Sequence, residues 1–530
     1  MLEWIKKDDT HSEHPMRDLA SASALLANLR ASDPVAALGD LTGWAESLKS
    51  AGGFDAHVES EVLAMIQETG APHVSALIKQ YLADIEAKLV LREAKWKSLF
   101  EYASALMEAL YGSADRLLAA RAANGSVQVA AAVVHALIAC RTLARVCLVH
   151  YTSVPSSVWK HAYSIHAAAE AAGCAALAVH PSPSNKTTTT AAHELLRLLV
   201  LQTSLPEMMA PLQIEVAERA IQQVGSDFTL RPAGVCDNPF CFDPAGELPP
   251  RRAEGEDSNL RYFGCGTGFD ALARLHKQFA SASSAEFKAF GKDIAPHVQL
   301  AALEHLLRLW GAHAYLPPVR SPVKGEVLVV HRYAQIWQHL PDVESVTKGA
   351  AALGIAPDHD ALPEAPEVWG LRDAGGNEVG VEIPQLKGDW ARCGELVGLS
   401  VDGGKRWWIG LIHRMHAELG ENMRVEIAVL SRKPLAVALQ GSRAASAQAD
   451  TAPTSSSFAF FAANAILLTD VAQSNGKSSL LLPPVAWSPG RIYDAMVGGP
   501  PRSLRVLQLL KKGEDYVRVA FEWLPLPRPS

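Results

Sequence analysis

Leucine and alanine recur every three or four positions from Asp18 to about Phe228, the spacing of amphipathic helices whose apolar stripes face a shared interior. In "SDPVAALGDLTGWAESL", Asp33 can cap orphan amides and Pro34 takes the first helical position, where its missing N–H costs nothing. A helix is therefore predicted from Asp33 to about Lys49. The same signals predict helices over 59–69, 73–87, 92–123, 126–150, 156–172, 189–202 and 206–224, most of them ended by Gly, Pro or Asn-Gly. "KWKSLFEYASALMEAL" and "VWKHAYSIHAAAEAAG" share a Trp, then aromatics, then alanines, as tetratricopeptide-type helical pairs do. No fixed period of about 34 residues runs through the region, so residues 1–228 read as an irregular helical bundle or short solenoid suited to partner contact.

The pattern then changes twice. Residues 229–268, centred on "ELPPRRAEGEDSN", read as a loop-rich connection, and 269–316 as a helical return packing on the first domain. From Glu326 the segments become short, β-branched and alternating: "EVLVV", "EVWGLRD", "VGVEIP", "ELVGLSV", "RWWIGLIHRM", "RVEIAVL", "LAVAL", "AILLTD", "SSLLLPP", "RSLRVLQLL" and "YVRVAFEWL". Residues 317–530 are thus expected to form one β-barrel with a flexible insertion at 441–457, where "GSRAASAQADTAPTSSS" is too small and polar to pack. The expected fold class is α+β multidomain, an all-α half followed by an all-β barrel.

Composition narrows the function. A hydrophobic share of 48% with 20% charged residues excludes global disorder, and a net charge of −7 gives no general attraction to nucleic acid. Asp8, Asp9, His11 and Glu13 stand where a signal peptide needs an apolar core, so a cytoplasmic location is expected. The most membrane-like stretch, 126–150, carries Gln128, His135, Arg141 and Arg145 and reads as a buried helix, so no membrane span is expected. Of the seven cysteines, Cys236, Cys241 and Cys265 cluster in sequence, but no second Cys-x-x-Cys or His pair follows, and they read as structural thiols without metal. There is no phosphate loop, no Gly-x-Ser-x-Gly elbow, and His193-Glu194 lacks a second histidine; "GCGTGF" reads as a helix-entry turn. Nothing points to catalysis or to a cofactor.

The strands from Gly394 to Leu439 resemble the later strands of the bacterial PilZ domain, a small barrel that serves as a receptor for cyclic di-GMP. In that family a "w.iG.vRr" strand, a polar turn, a "vGve.l" strand and a proline-led strand follow one another. Trp408, Gly410 and the His413-Arg414 pair match the first, and Val425 to Leu430 the second. The resemblance implies a cyclic di-GMP site. Its Arg-x-x-x-Arg motif falls on Arg320 and Lys324, where lysine keeps the charge but loses the bidentate fork. Its Asp/Asn-x-Ser-x-x-Gly motif falls on "DAGGNEVG", with Asp373 or Asn377 as the polar partner, Gly380 closing it and the serine absent. Trp408 and Arg414 complete the candidate set.

Simpler roles stand beside these. Arg320 and Lys324 suit a solvated boundary equally well, Asp373 and Asn377 are ordinary turn residues, and Trp407 and Trp408 must point to opposite faces, one of them core. The sequence thus supports a non-enzymatic regulatory adaptor whose degenerate motifs leave cyclic di-GMP binding on the barrel weak or lost, with a protein partner on the helical half. Its rival is a helical scaffold whose barrel makes protein contacts without nucleotide.

Overall fold

Helix-forming periodicity yields α1 (Leu19–Ala27), α2 (Pro34–Ala51), α3 (Ala56–Ala83), α4 (Leu89–Ala119), α5 (Val127–Val149), α6 (Ser156–Ala171), α7 (Ala191–Thr203) and α8 (Pro211–Val224). The computed structural model describes residues 14–51, 54–83, 89–120, 126–182, 187–232, 239–281, 290–291, 293–311, 320–352, 364–383, 390–418, 422–441, 462–470, 479–497 and 501–525. Asp33 caps α2 as expected, its Oδ1 accepting the amides of Val35 and Ala36 at 3.0 and 3.2 Å. The helices predicted over 59–69 and 73–87 are instead the single α3, which runs through Pro72. Tyr102 of α4 lies where a Cβ on Gly70 would stand and gives its hydroxyl to the Ile66 carbonyl at 3.3 Å. Tertiary packing thus holds the helix across a residue that breaks isolated helices.

The expected loop-rich connection carries a small antiparallel sheet, β1 (Thr229–Arg231), β2 (Phe240–Phe242), β3 (Arg251–Arg252) and β4 (Arg261–Gly264), in the order β1-β4-β2-β3. Its Phe240, Phe242 and Phe263 join the helical core, the cross-strand payoff that turn-rich composition hid. Cys241 and Cys265 are buried here and burial pushes both thiols up, while Cys236 lies outside the described residues. The helical return consists of α9 (Gly268–Ser281) and α10 (Pro296–Trp310).

Among the described residues α5 alone is long and apolar enough to cross a membrane, yet 72% of its most apolar window is buried inside the helical unit. Its arginines have partners there. Arg145 grips Glu215 of α8 through two hydrogen bonds of 2.7 and 2.5 Å, and Arg141 bonds Glu194 of α7 at 3.2 Å and also Glu218 of α8. Glu194, 1% exposed, also accepts from Arg197 at 2.6 Å and Thr189 at 2.8 Å.

Two buried histidines make this unit acid-sensitive. His135 meets Gln67 Oε1 at 2.6 Å, and His305 Nε2 donates to the Ser204 carbonyl at 2.9 Å. Burial lowers both from 6.5 to about 4. The unfolded chain therefore takes up protons first, so stability is complete above pH 6.5 and is lost as pH falls from 6.5 to about 4. Each histidine contributes on the order of 3 kcal/mol across that window. Denaturant unfolding followed at pH 7 and pH 5 by helical circular dichroism is expected to show the loss, and His135→Gln to reduce its pH slope.

A boundary between Tyr315 and Leu316 separates this unit from the β unit. The latter begins with β5 (Ser321–His331), followed by α11 (Tyr333–Gln338) and α12 (Val343–Ala352). Then come β6 (Glu367–Gly375), β7 (Glu378–Ile383), β8 (Leu396–Ser400), β9 (Trp408–His416) and β10 (Met423–Ser431). These six strands close a barrel in the order β10-β7-β6-β5-β8-β9. Buried Val425, Ile427 and Val429 alternate along β10 with outward residues. At Gly410 a Cβ would stand 2.5 Å from Ile427 Cγ2, so only glycine lets β9 approach β10 this closely.

The single barrel expected over 317–530 is in fact two. Strand β10 closes the first, leaving no free edge, and β11 (Pro434–Gly441), β12 (Ala462–Leu468), β13 (Ser479–Leu482), β14 (Ile492–Met496), β15 (Arg502–Lys512) and β16 (Val517–Trp523) close a second. Asp470 shapes the junction, its Oδ1 accepting from Ser431 Oγ at 2.5 Å and from the Arg432 and Lys433 amides at 3.1 and 3.3 Å. Helix α11 wedges between the barrels: Tyr333 Oη donates to the Asn464 and Leu481 carbonyls at 2.8 and 3.0 Å, and Trp337 Nε1 to Ala465 at 3.1 Å. The insertion expected at 441–457 begins at the last residue of β11, and 442–461 lie outside the described residues.

Candidate functional site

Strand register, not sequence proximity, assembles the candidate residues. Asp373 of β6 pairs with Gly380 of β7, Gly380 with Glu426 of β10, and Glu426 with Arg414 of β9. One row thus crosses four neighbouring strands on the outer face of the first barrel. Two bulges make the row chemical. On β6 Arg372 is the extra residue that turns Asp373 onto Gly380. On β9 Ile412 pairs with Ile427 and Arg414 with Glu426, so His413 is the extra residue and stands beside Arg414 on the outer face.

Arg320, just ahead of β5, reaches across this row. Its guanidinium lies 3.3 Å from Asp373 Oδ1 and 2.7 Å from Glu426 Oε1, to which Arg414 also donates at 3.4 Å. Gly380 makes the crossing feasible, since a Cβ there would stand 2.3 Å from Asp373 Oδ1. Burial lowers the Arg320 pKa, but Glu426, Asp373 and Glu378 more than offset it, and the group ends above its ordinary value, permanently charged. Glu378 and His413 adjoin the same patch, His413 Nε2 being 3.5 Å from Glu378 Oε1 and 3.9 Å from Glu426 Oε2.

Lys324 sits exposed in a bulge of β5 between Pro322 and Gly325 and takes no part in the row. Asn377 and Trp408 gather at a second point. The Arg432 guanidinium lies 5.0 Å from the centre of the Trp408 ring and donates to the Gly376 carbonyl at 2.7 Å, beside Asn377, whose own carbonyl accepts the Val429 amide at 2.7 Å. Val429 is three residues from Glu426, so the two points lie about 10 Å apart along β10. Trp407 is the core member of the pair, 6% exposed and edge-on to His339 at 4.9 Å; Trp408 is half-buried.

Glu426, Glu378 and Arg432 are the residues sequence reasoning passed over. Outward glutamates on alternating strands are ordinary solvated positions, and nothing local tells that these meet. A signal for the bulge was present: "LIHRM" places two polar residues between apolar ones, breaking the two-residue period. The face as built can hold an anionic, planar ligand through Arg320, Arg414 and the Trp408–Arg432 pair, provided its oxygens displace the carboxylates now on Arg320.

Residues 20–233 match the family model described as "Cyclic-di-GMP receptor FimW, N-terminal domain". The match covers the helical half from α1 to just past β1. No curated protein and no solved structure matches the chain. The chain therefore resembles cyclic di-GMP receptors through its helical half, and through its barrel the PilZ domain.

Proposed function

From a helical half similar to the N-terminal domain of a cyclic di-GMP receptor, joined to closed barrels, we propose that this chain is a non-enzymatic, cytoplasmic adaptor that binds cyclic di-GMP on the outer face of its first barrel. The observation that carries this reading is the convergence of Arg320 and Arg414 on Glu426 Oε1 beside Gly380, two guanidinium groups that a phosphate or a guanine edge can engage in place of the carboxylate. Asp373 is a carboxylate acceptor for guanine N–H groups, and Trp408 offers a ring for stacking. The helical half is assigned to the protein partner.

A second reading, a scaffold that uses the barrel for protein contact alone, is favoured by one fact. Arg320 already has Asp373 and Glu426 as partners. Titration calorimetry of the full chain with cyclic di-GMP separates the two. Saturable micromolar binding that weakens with added salt is expected; absence of heat at millimolar nucleotide overturns the receptor reading in favour of the scaffold.

A further inference from the structure

We propose that Glu378, His413 and Glu426 form a divalent-metal site on the outer face of the first barrel. The three come from β7, β9 and β10, and each offers a ligand atom within 4.8 Å of the other two. Glu378 stands opposite Ala428, two residues along β10 from Glu426, so both glutamates share the outward face. His413 joins them only because the β9 bulge turns it outward. Bulges recur where a strand must re-aim one side chain for function.

The second observation is independent of that clustering. Glu378 Oε2, His413 Nε2 and Glu426 Oε2 are all buried atoms, and among the described residues none has a hydrogen-bond partner. Two of these unsatisfied atoms, His413 Nε2 and Glu426 Oε2, lie 3.9 Å apart with Glu378 Oε1 3.5 Å from the same imidazole nitrogen, a costly arrangement unless an ion or water joins them. The glutamate oxygens are not interchangeable here. Glu426 Oε1 accepts from Arg320 at 2.7 Å and Arg414 at 3.4 Å, which orients the carboxylate and leaves Oε2 aimed at His413.

The spacing suits a small cation. Zinc bonds imidazole and carboxylate at about 2.0–2.2 Å, which places tetrahedral ligands about 3.4 Å apart. The observed 3.5 and 3.9 Å from His413 Nε2 need only a slight contraction. One imidazole with two carboxylates favours zinc, cobalt or manganese over calcium, and three protein ligands leave a coordination position open. The nearby guanidinium groups lower the affinity, so micromolar binding is expected.

The test uses the full chain, untagged, freed of metal by chelator and dialysed, with no nucleotide present. Zinc titration is expected to give one equivalent per chain, and His413→Gln and Glu378→Gln each to weaken it about a hundredfold while leaving the unfolding midpoint of the metal-free protein nearly unchanged. Cobalt is expected to give weak visible bands without the near-ultraviolet absorption of a thiolate complex. No binding at millimolar metal, equal binding in both variants, or a thiolate band that assigns the metal to cysteine each overturns the proposal. None of these outcomes bears on the nucleotide reading, which calorimetry with cyclic di-GMP alone decides.

Discussion

Arg320→Ala is expected to weaken cyclic di-GMP binding about ten- to a thousandfold, and Glu426→Gln to strengthen it. A charge-assisted hydrogen bond contributes about 1.5–3 kcal/mol, and each 1.4 kcal/mol is about tenfold in affinity. Arg320 is the one fork in the Arg-x-x-x-Lys segment; Lys324 supplies a point charge from an exposed bulge and cannot replace its two-pronged grip. Glu426 acts in the opposite sense. Its Oε1 holds Arg320 at 2.7 Å, so a phosphate must displace it, and the neutral amide lowers that cost. Calorimetry at one fixed ionic strength measures both variants. Tight binding that survives Arg320→Ala sinks the proposed face, and equal losses in both variants mean that the pair merely supports the barrel.

Arg141→Ala is expected to destabilise the helical unit by about 3–5 kcal/mol, because it leaves Glu194 and Glu218 as buried carboxylates that have lost a cation. The network ties α5 to α7 and α8, so the loss should appear as a lower midpoint of the helical transition in denaturant. Arg141→Ala combined with Glu194→Gln and Glu218→Gln is expected to recover part of the stability, as removing all the charges costs less than orphaning two. A single-mutant loss below about 1 kcal/mol contradicts the burial argument. The pH dependence has a definite sign. Burial raises the Glu194 carboxyl, yet Arg141 and Arg197 with Thr189 hold it below 4.5. Its contribution is therefore complete above pH 4.5 and is lost as pH falls through its lower folded value, a step expected to be smaller in the Arg141 variant, where Arg197 and Thr189 remain.

Much of this architecture was legible because it is local. The cap at Asp33 and Pro34, the buried character of α5 and the named β segments follow from periodicity and turn chemistry acting over a few residues. The candidate residues Arg320, Asp373, Gly380 and Arg414 were named through family resemblance; the register sets Asp373, Gly380 and Arg414 in one row, and Arg320 joins it through ion pairs.

Three features needed the tertiary structure. Whether eleven or more alternating segments close one barrel or two depends on which edges pair. The period of two is the same in both cases, and only the closure of β10 on β7 and β9 forces β11 to begin anew. The helix through Pro72 persists because Tyr102 packs against Gly70, a contact between residues 32 apart that outweighs the local break. The partners of Arg320 and His413 are carboxylates on other strands, joined through a row of backbone pairings and two bulges. Sequence determines which residues can face outward on a strand; the register, which sums pairing energies over the whole barrel, decides which of them meet.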